Sequence, residues 1–380
     1  MPARRGDSFS AYGFLGPAIA ILLVFGLFPI AYALYVGLHR WRIRKEELLG
    51  FDNFIRAVGD PDYLMYFLLG LIVAWTAARV YANARTAAVV GIQRWRFVVA
   101  GVLLMAAVWL VLSVGLRGML TTGDHRMYNG FKVTLFYVLG TIPVELAVSM
   151  LLACLLMKSM RSKGFFRVLF FLPYVTPTIA TAVVFRTIFS PNPSSWANRF
   201  WGTLGMENQR WLYESKSIAS LVLTSMDVSY PPWVDVCFPS LALVCIILYN
   251  IWVYIGYDTV ILLAGLSAIP QHYYEAAEID GASPLQVFRH ITLPLVSPIL
   301  FFLSMVALIG TFKAFNHIYI MRTAGARDTA DVLSVAVFDQ IFEYHNAGYA
   351  AAMAFTLFLV ILALTFMQNR LFGAKVFYGN

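Results

Sequence analysis

The sequence predicts an all-α fold, a polytopic transmembrane helical bundle of about eight spans, on three observations. The 380 residues are 60% hydrophobic and only 13% charged, with a mean hydropathy of +0.72, a composition outside that of soluble globular chains. Several apolar stretches are long enough to cross a hydrocarbon core of ~30 Å as helix, which takes about 20 residues. Most basic residues lie in short turns beside those stretches, where they anchor helix ends against headgroups instead of forming a nucleic-acid face.

The spans follow in order. Arg4 and Arg5 precede the run Tyr12–Leu38, which is too long for a signal-peptide core and has no small-residue cleavage site after it. It is expected to be a retained anchor with a cytoplasmic N-terminus. Tyr63–Ala78, running on to about Asn83, and Phe97–Leu116 form the next two. Val133–Met157, Val168–Phe189, Val236–Ile269, Leu295–Phe312 (running on to about Ile320) and Ala347–Asn369 complete the set. The turn Arg79–Arg96, with four arginines and no acid, and the basic turn Lys158–Arg167 both fall on the cytoplasmic side in this topology, as the positive-inside tendency requires. Arg40–Asp62 opposes it, since it would lie outside with Arg40, Arg42, Arg44, Lys45 and Arg56. Charge alone therefore leaves the orientation divided.

Pro143, Pro173, Pro177, Pro294 and Pro298 fall inside spans or at their starts. A proline frees backbone groups that lipid cannot satisfy, so these spans are expected to face other helices or a watery cavity; plain irregularity in a packed bundle is the alternative. The polar interruption Ser190–Asp235 holds Pro191, Pro193, Asn198, Trp211-Leu212 and Pro231-Pro232 and is expected to form a small cap of helices and turns. Cys154, Cys237 and Cys245 are too few and too apolar in context for a disulfide framework or a metal site.

Between two spans, Ile269–Pro294 reads as a helix-turn-helix lying on the membrane surface. Gln271–Ile279 is a short helix, Asp280-Gly281-Ala282 a turn, and Ser283-Pro284 an N-cap followed by proline at the first helical position. Ala276 and Ala277 leave little side chain on one face, and Glu275, Glu278 and Asp280 set negative charge beside it.

Glu275-Ala276-Ala277, then Gly281, then Ile291 and Leu293-Pro294 resemble the coupling-loop signature of binding-protein-dependent ABC importer permeases. The Glu-Ala-Ala-x-Ile-Asp-Gly-Ala form, with Ile-Thr-Leu-Pro following, resembles the maltose and glycerol-3-phosphate branch. Phe51-Asp52-Asn53-Phe54, Phe165–Pro173, Trp211-Leu212, Ala264-Gly265-Leu266 with Ile269-Pro270, and Gly348–Ala352 extend the likeness over most of the chain. The resemblance implies a coupling loop on the cytoplasmic side, seated in a cleft of an ATP-binding subunit, and so fixes the orientation that charge left open. Both termini are then expected in the cytoplasm of a prokaryotic cell.

Three departures stand out. Residues from about Leu64 to Arg126 insert two spans into the usual six-span core. About 25 residues between Leu212 and Pro239 lengthen the cap, and the family's Gly-Gly-Pro near its fifth span appears as Ala324-Gly325-Ala326. The expected organisation is 1–62 as tail, first span and first external segment, 63–127 as inserted helix pair, and 128–380 as permease core with external cap 190–238 and coupling loop 269–294.

No Gly-x-x-x-x-Gly-Lys-Ser/Thr stretch exists in the sequence, so no phosphate cradle is expected and ATP with its Mg must be bound by a partner subunit. The resemblance implies a second permease of different sequence, two ATP-binding subunits and an extracytoplasmic solute-binding protein. The expected coupling residues are Glu275, Ala276, Ala277, Asp280, Gly281, Ala282, Leu293 and Pro294, with Glu275 as polar anchor and Ala276–Ala277 as contact face.

Candidates for the solute path lie on the preceding span, where Asn250, Tyr254 and Tyr257 or Asp258 share a helical face and present amide, phenol and carboxylate groups suited to hydroxyl-rich ligands. By resemblance, Phe315, Asn316 and Tyr319 join them. Tyrosines that merely pack between helices are the alternative. Glu145 and Asp258 are intramembrane acids, a costly feature that keeps a proton-coupled secondary transporter as the competing function; Glu145 paired with Arg186 or Lys313 would be a structural use instead. An integral-membrane enzyme is the weaker competitor, since it would need a clustered nucleophile or metal ligands at helical spacing and the histidines are scattered without such pairing.

Overall fold

The computed structural model describes residues 5–85, 90–157 and 162–373, with side chains from residue 14 and again from residue 93. Arg4, Lys158 and Arg161, which enter the charge reading above, lie outside the described residues.

Among the described residues, seven helices are long and apolar enough to span a bilayer. They are α1 (Phe14–Gly37), α2 (Pro61–Arg85), α3 (Gln93–Thr122), α4 (His125–Met157) and, after the broken pair α5 (Lys163–Val175) and α6 (Thr178–Ile188), α7 (Leu241–Ser267). The surface helix α8 (His272–Ile279) comes next, then α9 (Pro284–Phe312) and α10 (Ala347–Phe372). The eighth span expected at Val168–Phe189 is not straight, because α5 and α6 meet at 94°. Thr176, the residue before Pro177, is extended at φ −74° and ψ 141°, as steric clash with a following proline ring favours, and α6 restarts just beyond the ring. Pro143, by contrast, does not interrupt α4, which runs through it for 33 residues.

Within the described residues the chain divides into two compact units. The first is Met1–Tyr128 with Val337–Phe358. It contains a β-hairpin absent from the sequence reading, β1 (His39–Trp41) paired antiparallel with β2 (Lys45–Leu48) and clipped by Arg40 and Glu47 at 2.6 Å. Asn53, on the short helix Asp52–Val58, donates to the carbonyls of Gly37 and His39 at 2.9 and 3.0 Å and so fixes the turn out of α1. The Tyr349 hydroxyl donates to Asp124 at 2.6 Å with the Arg56 guanidinium over its ring. Helices α2 and α3 lie against each other, with Gly115 meeting the backbone of Phe67 and the rings of Tyr81 and Phe97 5.5 Å apart.

The second unit is Asn129–Ala336 with Leu359–Asn380. Its centre is α7, whose buried residues include Leu243, Ile246, Tyr249, Asn250, Asp258, Leu262 and Leu266. Against α7 pack α5 and α9, and Gly256 lets the two backbones of α5 and α7 touch. A Cβ built there would collide with the Phe170 carbonyl and sit 2.9 Å from the Phe171 nitrogen. The segment 190–238 folds as short helices, Trp196–Thr203, Ile218–Ser225 and Trp233–Cys237, around a single 3-10 turn at Trp211–Tyr213. Its hub is Asn198, which donates to the carbonyls of Asn192 and Gln209 and accepts from the Gln209 amide and, at 2.7 Å, the Trp211 indole. Trp211 is held at φ +46° by these contacts. Ala324-Gly325-Ala326 forms one 3-10 turn beside it, with the Thr323 hydroxyl donating to the Leu212 carbonyl at 2.6 Å.

Candidate functional site

The second unit holds a cavity of about 380 Å³, near the small end of ligand-pocket sizes. One wall is the polar stripe of α7. Asn250, Tyr254, Tyr257 and Asp258 all line it, as the three- and four-residue spacing predicts. Facing that stripe is Glu145 of α4, which accepts from the Asn250 side-chain amide at 3.3 Å and lies against the Asp258 carboxyl. Glu145 and Asp258 both line the cavity and are 3% and 4% exposed, so the two acids lie recessed in its wall.

A second wall comes from the broken span. Tyr174, near the end of α5, stacks on Tyr257 with centroids 4.6 Å apart and meets Tyr254 edge-on at 5.7 Å. Thr178 opens α6 and lines the same space, its carbonyl accepting from the Tyr249 hydroxyl at 3.0 Å. The third wall runs from Val306 through Gly310, Thr311 and Lys313 to Phe315, Asn316 and His317. The His317 ring is positioned by Tyr137, whose hydroxyl lies 2.8 Å from Nε2.

Six of the seven path candidates thus come together at one cavity, and Tyr319 does not. It stacks on Phe315 at 5.2 Å under the Arg322 guanidinium, because the helix Asn316–Met321 turns it away. Glu145 pairs with neither Arg186 nor Lys313; Arg186 donates instead to the Ile320 carbonyl at 3.1 Å. Sequence reasoning passed over Tyr174, Thr178, Thr311 and His317. The signal available for Tyr174 and Thr178 was Pro177, whose bend turns both toward α7.

The surface hairpin folds largely as its residues dictate. Helix α8 ends at Asp280, Gly281 reverses the chain at φ +72°, and the Gln286 side chain accepts from the Ser283 amide at 2.7 Å to start the next helical turn at Pro284. The positive φ is the left-handed region that a side chain resists, which is why glycine stands there. One expectation fails: Ala277 is buried at 8% exposure and turns inward, its carbonyl accepting from Ala282. The outward face carries Glu275, Ala276, Ile279 and Leu285 instead, with Ile279 86% and Leu285 75% exposed. Leu293 is exposed and Pro294 half-buried at the start of the regular α-helical part of α9, after the π-type turn Phe288–Thr292.

Residues 145–374 match the family model of binding-protein-dependent transport system inner membrane components, a span that takes in the cavity and the hairpin together. The chain belongs to this family. It is a permease subunit of an ABC importer, and this assignment does not favour a proton-coupled secondary transporter. Two relatives illustrate the range. The permease is 30% identical over 262 residues to the probable ABC transporter permease protein YesP of Bacillus subtilis, covering 68% of this chain and 76% of that protein. It is 28% identical over 266 residues to the arabinooligosaccharides transport system permease protein AraP of the same organism, covering 70% and 77%. Among solved structures, a chain of the bacterial alginate ABC transporter in complex with alginate pentasaccharide-bound periplasmic protein superposes with a TM-score of 0.54 at 19% identity, covering 73% of the permease and 95% of that chain. That likeness is one of fold.

Proposed function

We propose that this permease forms part of the translocation path for a sugar or a related hydroxyl-rich solute, and that ATP hydrolysis by a separate subunit drives it. The observation that carries this is the cavity wall itself. Three tyrosine rings, two amides, two carboxyls and two threonine hydroxyls converge on one small space. Hydroxyl-rich rings need that combination of donors, acceptors and aromatic faces. The likeness to AraP, a permease of an arabinooligosaccharides transport system, supports the same choice.

In this reading Asn250, Tyr254, Tyr257, Asp258, Phe315 and Asn316 contact the solute, joined by Glu145, Tyr174 and Thr178. The hairpin of Glu275, Ala276, Asp280, Gly281 and Ala282, footed by Leu293 and Pro294, seats in an ATP-binding subunit, with Ile279 and Leu285 as its apolar contacts and Ala277 as an internal packing residue. The chain has no ATPase site; ATP and Mg belong to two partner subunits. A second permease of different sequence and an extracytoplasmic solute-binding protein complete the complex. Both termini and the hairpin face the cytoplasm, and residues 63–127 form a helix pair added to the core. Closure of the ATP-binding subunits carries the hairpin and rocks the spans around the cavity.

The test is Gly281→Val in the assembled complex. A β-branched residue at φ +72° is strained by about 1–3 kcal/mol, enough to reshape the turn. Assembly in the membrane should persist while solute-stimulated ATP hydrolysis and uptake fall together. Full coupling in this variant would refute the hairpin's role.

A further inference from the structure

The added pair α2 and α3 carries a site that solute transport does not use. Its turn-side ends bear Arg79 and Arg85 on α2 and Arg94 and Arg96 on α3, and no acidic residue occurs anywhere between Asp62 and Asp124. All four arginines are exposed. Three are held in place by neighbours. The Arg79 guanidinium lies 3.9 Å from the Trp75 ring centroid, Arg85 sits over Tyr81 and donates to its hydroxyl at 2.7 Å, and Arg96 donates to the Asn83 carbonyl across the pair at 3.2 Å. Trp75, Tyr81 and Trp95 are themselves exposed, at 51%, 44% and 68%. Immediately along both helices the surface turns wholly apolar, with Ile72, Val98, Val102 and Met105 exposed.

We infer that this end of the α2–α3 pair is a binding site for anionic phospholipid. Four guanidiniums with no acid beside them match phosphodiesters whose negative charge no headgroup cation cancels, since arginine presents a planar fork of donors to phosphate oxygens. The flanking indole and phenol rings occupy the interfacial depth that amphipathic aromatics prefer. The apolar faces below give the same molecule's acyl chains a surface to lie on. A free phosphate would use the first feature alone, and only a lipid uses all three. Arg79 stands six residues before Arg85, about 9 Å deeper along the helix, so its cation must reach back toward the headgroup along the Trp75 ring.

The full-length permease is reconstituted in vesicles of phosphatidylcholine with one added brominated lipid, either phosphatidylglycerol or phosphatidylcholine, and quenching of its nine tryptophans is followed against mole fraction. Brominated phosphatidylglycerol should quench at a mole fraction on the order of tenfold lower, since each basic residue near the surface attracts an anionic lipid appreciably. Trp75→Phe with Trp95→Phe should remove most of that difference and so place it at this end of the pair. The fourfold change of Arg79, Arg85, Arg94 and Arg96 to Gln should abolish the preference, and the fourfold change to Lys should retain it, which separates lost charge from lost fold. Equal quenching by the two lipids, or a preference that survives the glutamine variant, would overturn the site.

Discussion

The contact at Gly256 gives a stability and transport prediction that can be worked from distances. A methyl group there would overlap the Phe170 carbonyl and stand 2.9 Å from the Phe171 nitrogen, and both opponents are backbone atoms with no rotamer to yield. Restoring ordinary separations of ~3.5 Å obliges α5 to withdraw from α7 by roughly 1 Å or more. Overpacking of this kind costs about 1–3 kcal/mol, and the rigidity of both opponents sets Gly256→Ala near the upper figure. The same retreat carries Tyr174, one helical turn beyond Phe170, away from the Tyr257 ring now 4.6 Å distant, so the cavity wall loosens as well. Gly101→Ala is the control, because its added methyl meets nothing within 4 Å. Thermal unfolding of the detergent-solubilised complex and uptake into proteoliposomes are measured side by side. Gly256→Ala should lower both the melting temperature and the uptake rate, and Gly101→Ala neither. A Gly256→Ala variant with the parent's melting curve would refute the close approach of α5 and α7.

Three further outcomes follow from the same structure. Asn198→Leu leaves the buried Trp211 indole and the part-buried Gln209 amide without an acceptor, a loss of about 1–3 kcal/mol for the indole alone; limited proteolysis should then cut within 190–238 while the spans stay intact. Asn250→Leu strips Glu145 of its donor at 3.3 Å and should reduce uptake strongly while solute-independent ATP hydrolysis persists, whereas unchanged uptake would remove these groups from the path. Partial burial pushes the Asp235 carboxyl up, but hydrogen bonds from Ser220 and Ser217 outweigh it and hold the group below the ordinary aspartate value of 3.8. The folded form therefore binds its proton less readily than the unfolded chain. Asp235 stabilises the cap fully above that ordinary value, and the contribution disappears as acid carries the pH through the depressed one. Asp235→Asn should flatten the acid limb of cap protection, measured by hydrogen exchange between pH 5 and pH 3.

Seven of the eight spans were legible because apolar run length is a local quantity, and those runs, some with the residues they run on into, are long enough by themselves. The hairpin at Gly281 was legible for a similar reason: Ser283, Pro284 and Gly281 each act on their own backbone. The broken span was half legible. Pro177 marked a weak point, but the 94° between α5 and α6 arises from how both halves pack, and with it came Tyr174 and Thr178, which no single-helix face could reveal. That Asn250, Tyr254 and Asp258 share one wall was legible because one helix carries them all. Phe315, Asn316 and Tyr319 came from resemblance alone, which does not say which way a side chain points, and the chain leaves helix between Lys313 and Phe315 so that Tyr319 stacks on Phe315 away from the cavity. Ala277 shows the same limit on a smaller scale, since two adjacent small residues look alike in sequence but stand about 100° apart on a helix. The β1–β2 hairpin escaped notice because four of its side chains are charged and no alternation of apolar residues announces it.

The unbroken length of α4 has a mechanical meaning. Its 33 residues make a rod of about 50 Å, against ~30 Å of hydrocarbon, more than any usual tilt absorbs. The rod must stand proud of the lipid while bearing Glu145 within it. A rocking of about 5° about its His125 end would move Glu145, twenty residues along, by about 2.6 Å, so a modest tilt of the rod becomes a displacement comparable to the diameter of a hydroxyl group at the carboxylate it carries.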